Sequence, residues 1–272
     1  MSIHPTAIVS PKAELGAEVT VGPMAIIEDD VTIGDHCHIG SHAVIMRYTT
    51  LGADCRVHSH AVLGDLPQDL AFDGRESYVR IGAACIIREG VTVHRGTKPG
   101  TVTEVGNRCF LMANSHLGHN VRLGDKVILA NGALLGGYVE VGAGAFISGN
   151  CLVHQFVRVG RLAMLGGGCA TTKDVPPFCI MPSLHLNQVT GLNIIGLRRA
   201  GMSPADRLTL KKAFKILYLS GLNFNLAAAQ ISKEFQSGPA RELADFVTAS
   251  RRGICRHGHL RDDAASGDGD EG

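Results

Sequence analysis

The stretch VTIGDHCHIGSHAVIMRYTTLGADCRVHSHAVLG, residues 31–64, carries an aliphatic residue at every sixth position: Ile33, Ile39, Ile45, Leu51, Val57 and Leu63. The residue two before each is small or β-branched, as at Val31, Cys37, Ala43 and Cys55. Followed outward, the same register runs from Ile3 to Leu165. Of its 28 positions, 25 are Ile, Leu or Val; only Asp69, Arg75 and Pro99 break it. The next residue is Gly in 14 of those 25 cases. Two inward positions per six residues, one large and one small, specify a β-solenoid whose coil is a triangle of three hexads. Each side of the triangle is one short strand, and Gly is expected to supply backbone freedom near the corners. Eighteen residues make a coil, so 28 hexads give about nine coils. A single coil cannot bury its own faces, so stability has to come from stacking.

The composition agrees. The chain has 272 residues, 45% of them apolar, with 34 Gly, only 5% aromatics and no Trp. Such a core is thin-walled and has little room for large rings. Lys and Arg number 26 against 25 Asp and Glu, which gives no basis for a nucleic-acid binder driven by bulk charge. No run of 18 apolar residues exists, so no membrane span is expected. The N-terminus lacks the charged and apolar regions of a signal peptide, and a cytoplasmic protein is expected. Six of the eight Cys (Cys37, Cys55, Cys85, Cys109, Cys151 and Cys169) fall on the small inward position. They read as buried hydrophobes in a reducing compartment, without a disulfide framework.

Two excursions leave the register without changing its phase: Asp65 to Arg80 and Arg95 to Glu104. Loops extruded from a rigid solenoid are favoured places for binding groups. The pattern fades through DVPPF at 174–178, where Pro176 and Pro177 cannot donate to a strand ladder. From Ser203, an N-cap with Pro204 behind it, the sequence turns helical, with Leu208, Leu210, Phe214, Leu217 and Leu219 as an apolar stripe. Further helices are expected around Leu226–Phe235 and Ala240–Ser250. The organisation expected is a β-helix domain over 1–190, a helical domain over 191–256 and a disordered tail over 257–272.

Residues eighteen apart stack on one face. His119, Gly137 and Gln155 form one column, and Gly118, Gly136 and His154 its neighbour. His119 lies two residues past the inward Leu117, so it should point outward, exposed, toward a groove left by Gly136 and Gly137. Imidazole accepts a proton near neutral pH, which suits a general base. A surface histidine beside strand glycines fits the same spacing. His116 and His119 with His94 or His154 could be forced into a metal site, but no spacing signal supports one and no metal is expected.

NSHLGHNV at 114–121, LANGALLGGYVEVG at 129–142, VHQFVRVG at 153–160, DVPPF at 174–178, GLNIIGLRRAG at 191–201 and SRRGI at 250–254 together resemble the UDP-N-acetylglucosamine 3-O-acyltransferases. The resemblance runs from residue 1 to about 256. It implies a left-handed parallel β-helix followed by a helical domain, assembled as a homotrimer with sites between neighbouring subunits. It implies transfer of a 3-hydroxyacyl group from acyl carrier protein to the sugar 3-hydroxyl, the first committed step of lipid A biosynthesis. The acyl group arrives on the carrier's phosphopantetheine, and no further cofactor is implied. Matched residue by residue, His119 is the general base, Asn120 its orienting partner, and the Gly137 amide the oxyanion donor. Asp69, His116, Tyr138, His154, Gln155, Asn193 and Arg199 match positions that line the substrate sites, and Gly167 the position that limits acyl length. Residues 203–256 carry nine Lys and Arg against four Asp and Glu, which suits an acidic carrier protein. Asn120 stands where the family has Asp, and Ala71, Tyr138, Ile195 and Ala200 where it has Lys, His, Glu and Arg. These departures keep open an acceptor such as a 3-amino UDP-sugar. A metal-dependent solenoid and a non-catalytic binding solenoid are the alternatives from other classes.

Overall fold

The structure, a computed structural model, describes residues 1–258. Residues 259–272 of the expected tail lie outside the described residues. His257, assigned to that tail, instead belongs to the strand Arg256–His257, which pairs with Gln188–Val189.

Two-residue strands recur every six residues, and each pairs in parallel with the strand one coil on: Ser2 with Thr20, Ile8 with Ile26, Glu14 with Thr32. Among the described residues this builds three long sheets of eleven, nine and eight strands, here called faces A, B and C. They form a left-handed parallel β-helix. The aliphatic and small positions both point inward, and residues such as Ile39, Ile45, Leu63, Cys55 and Ala61 are fully buried. All eight cysteines are buried and unbridged. Several thiols donate to a glycine carbonyl of the next coil, as Cys37 Sγ does to Gly52 O at 3.1 Å and Cys151 Sγ to Gly166 O at 3.0 Å.

The glycines have a different job from the one expected. The corner conformation with positive φ lies three residues past most of the aliphatics, and mostly non-glycine residues adopt it, among them Asp30, His36, Asp54, Ala84, Asn120 and Tyr138. The glycine directly after the aliphatic is instead where the next coil's backbone passes closest. A Cβ on Gly34 would sit 2.6 Å from Ala53 N, and one on Gly106 2.6 Å from Gly124 C. Close approach, not dihedral freedom, selects glycine there.

Face A ends on Cys179–Met181, which is covered by the antiparallel strand Gly191–Leu192. Four helices follow among the described residues: α1 (Ile194–Arg199), α2 (Pro204–Leu219), α3 (Phe224–Glu234) and α4 (Gly238–Thr248). The Ser203 hydroxyl accepts from Asp206 N at 3.0 Å, the expected N-cap. Leu210, Phe214 and Leu217 are buried, whereas Leu208 and Leu219 face outward, because α3 and α4 pack against α2 on one side only. Phe178, from the last coil, plugs the helical core beside Leu197, Leu210 and Leu243. No helix among the described residues is long and apolar enough to cross a membrane.

Two substitutions separate the two corner roles. Gly34→Ala is expected to lower stability by about 1–3 kcal/mol, because the clash is with backbone. Ala84→Gly, at φ 56, relieves a strained corner and is expected to raise stability by about 1 kcal/mol. Urea midpoints of the two variants check both signs.

Candidate active site

Both excursions leave the prism at one corner. Each follows a face-B strand (Val62–Asp65 and Thr92–His94) and returns into a lengthened face-C strand (Tyr78–Ile81 and Val102–Val105). The returning strands pair over four residues and make a lip. The three breaks in the hexad register, Asp69, Arg75 and Pro99, lie in these loops. The Arg95 N–H donates to Asp65 O at 3.0 Å, and Gly100 N–H to Glu76 O at 2.9 Å. The Arg95 guanidinium sits between the rings of Tyr48 and Phe72, at 5.3 and 5.4 Å from their centroids. The loops are thereby tied to each other and to the prism.

Under this lip lies a cleft of about 460 Å³, lined by Gln68, His116, His119, Gly136, Gly137, His154, Gln155 and Thr172. His119 is only 6% exposed. The outward direction expected for it is right, but the loops roof the ring, which coil spacing cannot reveal. Stacking holds the columns in register: Tyr138 N–H donates to His119 O at 2.9 Å, and Phe156 N–H to Gly137 O at 3.0 Å. A Cβ at Gly137 would lie 2.4 Å from His119 Nε2, so the imidazole occupies the space that any side chain there would need.

The proton on His119 follows from its partners. The Thr97 N–H donates to Asn120 Oδ1 at 3.0 Å, which identifies that atom as the amide oxygen. The same Oδ1 is 3.1 Å from His119 Nδ1, and an amide oxygen can only accept. Nδ1 therefore carries a hydrogen, and in the neutral ring it is Nε2 that keeps the lone pair. Asn120 N–H donates to Thr103 Oγ1 at 2.7 Å, which pins this positive-φ residue. Asp69, carried in by the first loop, places Oδ2 3.5 Å from His119 Nε2. Among the described residues the Gly137 N–H has no acceptor.

The structure brings Asp69, His116, His119, Asn120, Gly137, His154 and Gln155 together at this corner. Tyr138 stands edge-on to His119, 5.2 Å between centroids, yet it stacks on Phe156 and lines a separate hollow of about 910 Å³ with Arg122, Arg158 and Arg252. Asn193 and Arg199 are elsewhere in the chain. They line a hollow of about 1100 Å³ on face A with Phe146, Met164, Ile195 and Ala200. There Asn193 caps α1 through Gly196 N and donates from Nδ2 to Leu162 O. Gly167 lies at a face-A to face-B corner, its nearest outside atom being Gly149 O, 3.7 Å from an ideal Cβ. Thr97, Thr103 and Arg252 were not anticipated; two sit on insertion strands or loops and one arrives from the far end of the chain. Among the described residues no group of three or more His, Cys, Asp and Glu is placed to hold a metal ion.

Burial, and secondarily neighbouring His94, lowers the His116 pKa from 6.5 to about 4. The unfolded chain takes up this proton as pH falls below 6.5, while the folded chain refuses it until about 4. Stability contributed by neutral His116 is thus whole above pH 6.5 and lost progressively down to about 4. His116→Gln is expected to flatten this part of the pH dependence, measured as urea midpoints at neutral pH and at about pH 5.

Comparison with known proteins identifies the family. A family model described as "Udp N-acetylglucosamine O-acyltransferase; Domain 2" matches residues 174–255, and one for bacterial transferase hexapeptides matches 12–47, 30–65 and 103–137. An acyl-[acyl-carrier-protein]–UDP-N-acetylglucosamine O-acyltransferase from Sulfurihydrogenibium is 54% identical over 256 residues, 93% of this chain and 94% of the relative. One of the same name from Cupriavidus pinatubonensis is 56% identical over 264 residues, 93% and 99% of the two chains. The crystal structure of a UDP-N-acetylglucosamine acyltransferase from Bacteroides fragilis superposes with a TM-score of 0.88 at 37% identity, covering 93% of this chain and 99% of that one. Identity of this level over nearly the whole length, with the same fold, means that the chain belongs to the acyl-[acyl-carrier-protein]–UDP-N-acetylglucosamine O-acyltransferase family.

Proposed function

We propose that the protein transfers a 3-hydroxyacyl chain from acyl carrier protein to the 3-hydroxyl of UDP-N-acetylglucosamine, the first step of lipid A biosynthesis. One observation carries the reading: a histidine with Nδ1–H fixed by Asn120 and Nε2 turned to the cleft near Asp69, beside a free glycine N–H, under the loops. His119 Nε2 takes the proton of the sugar hydroxyl as its oxygen attacks the thioester carbonyl. The Gly137 N–H donates to the oxyanion of the tetrahedral intermediate. Collapse breaks the carbon–sulfur bond, and the departing pantetheine sulfur takes the proton from His119. The ester and the free carrier thiol leave. Asn120 orients the ring without adding charge; Asp69 Oδ2 supplies the negative charge near the imidazolium that forms transiently. The acyl group is carried on phosphopantetheine, and the reading calls for no other cofactor.

The working unit in this reading is a homotrimer. The outward row of face A is polar over its first coils, at Thr20, His38 and Arg56, and turns apolar at Ile86, Phe110 and Phe146, while that of face B is largely apolar, as at Ile8, Leu134 and Leu152. Face C carries Arg80, Glu104, Arg122, Glu140 and Arg158, with Glu104–Arg122 at 3.6 Å and Glu140–Arg158 at 3.9 Å. Apolar rows seek cover and charged rows seek water, which supports face A of one chain meeting face B of the next. The Asn193 and Arg199 hollow of a neighbour would then face the His119 cleft and complete it. The eight unbridged thiols suit a cytoplasmic location.

Product mass from UDP-N-acetylglucosamine and a panel of 3-hydroxyacyl carrier proteins tests the reading. A 3-O-acylated product is expected, with His119→Ala slower by about 10²–10⁴-fold. Asn120→Ala, which frees the ring, is expected to be slower by at least about tenfold with the fold intact. Turnover with a 3-amino UDP-sugar only would replace the acceptor, and no turnover with any acceptor would overturn the enzyme reading.

A further inference from the structure

After α4 the chain returns to the cleft. Ser250 Oγ donates to Asp174 Oδ2 at 2.8 Å, Asp174 N–H to Gly253 O at 3.0 Å, and Cys255 N–H to Asp174 O at 2.8 Å. Lys173 Nζ donates to the Arg252 carbonyl at 2.8 Å. These bonds seat residues 250–255 on residues 173–174 and hold the Arg252 backbone still. Its side chain is then tied a second time, with Nε donating to Thr172 O at 3.0 Å. The remaining arm of the fork puts Nη2 3.4 Å from His154 Nδ1. Thr172 and His154 line the His119 cleft, while Arg252 lines the adjoining hollow, so the guanidinium stands in the wall between the two.

His154 Nδ1 has two partners whose demands conflict. The Gln155 carbonyl oxygen, 3.1 Å away, only accepts and needs a hydrogen on Nδ1. A guanidinium only donates and needs the Nδ1 lone pair. A neutral ring satisfies one of them, and the choice decides whether Nε2 offers a hydrogen or a lone pair to whatever occupies the cleft. We propose that Arg252 is a positioning residue that decides this choice: it donates to His154 Nδ1 and holds the ring proton on Nε2. Its hydrogen bond is charge-assisted, its planar fork is already ordered by Thr172 and its backbone by Lys173, so little freedom is lost on making it. His154 then presents a donor to the cleft, while His119, whose proton is held on Nδ1 by Asn120, presents an acceptor. Two histidines on neighbouring columns are set to opposite hydrogen-bonding polarity by two different partners. The use of the donor, an oxygen of the sugar nucleotide, rests on the function proposed above; the tautomer does not.

The test is a two-bond ¹H–¹⁵N correlation spectrum of the full chain labelled at histidine, recorded above neutral pH, with His154 assigned from the signal lost in His154→Gln. The wild type is expected to show the Nε2–H tautomer at His154, and Arg252→Met the Nδ1–H tautomer, while His119 stays Nδ1–H in both. In turnover, Arg252→Met is expected to raise KM for the sugar nucleotide roughly tenfold, with kcat changed much less. A wild-type His154 in the Nδ1–H form, or a tautomer indifferent to Arg252→Met, overturns the proposal. Absence of turnover by the wild type counts against the function proposed above and leaves the tautomer readout standing.

Discussion

Parallel stacking of successive coils, with each strand's N–H groups donating to the strand one coil on, is the constraint on which the molecule depends. It fixes an offset of eighteen residues through the regular coils, as between Val21 and Ile39, which widens where the loops leave, as between Val57 and Ile87, and shrinks at the last coil, as between Leu165 and Met181. Strand spacing of about 4.8 Å leaves no room for a Cβ where backbones cross most closely, so glycine occupies those points. The same spacing sets the inward rows, one large and one small, and the rigid corners where aspartate, histidine and asparagine adopt positive φ. Much of the chain's information is thereby spent on a scaffold whose outward positions are free to vary.

The candidate site exploits that freedom at one corner. The proposed base and oxyanion donor, His119 and Gly137, are one coil apart, so their relative placement is part of the scaffold. Their chemistry is set by groups the scaffold does not carry. Thr97, on the second loop, orients the Asn120 amide, which in turn orients the imidazole. Asp69, on the first loop, brings the negative charge that a neutral asparagine lacks. Arg95, buried between Tyr48 and Phe72, holds both loops in place. Preorganisation of this kind lets donors and charges act without rearranging as the reaction proceeds.

The far end of the prism solves a different problem. An open parallel sheet exposes unpaired strand edges. The antiparallel strand Gly191–Leu192 covers face A, and Phe178 couples the last coil to the helices. The return of residues 250–257 onto Asp174 and Gln188–Val189 closes the terminus. That closure also delivers Arg252 to the cleft, so the cap of the scaffold and the tuning of the site share the same hydrogen bonds.

Periodicity alone determined the β-helix, its inward rows, six of the eight buried thiols, both loops and the columns that pair His119 with Gly137 and Gly136 with His154, because stacking turns a fixed sequence interval into a fixed distance. The capped start of α2 was equally legible, since Ser203 and Pro204 are local signals. The short helix α1 was not, being held by Asn193 and the last coil and not by its own six residues. Tertiary structure alone decided that the glycines answer close approach, that His119 is roofed, which ring nitrogen carries its proton, and that Tyr138 turns into a neighbouring hollow. It also decided that Asn193 and Arg199 lie on another face from His119. Each of these depends on groups brought together by loops or by the chain's return, across separations that no repeat interval encodes.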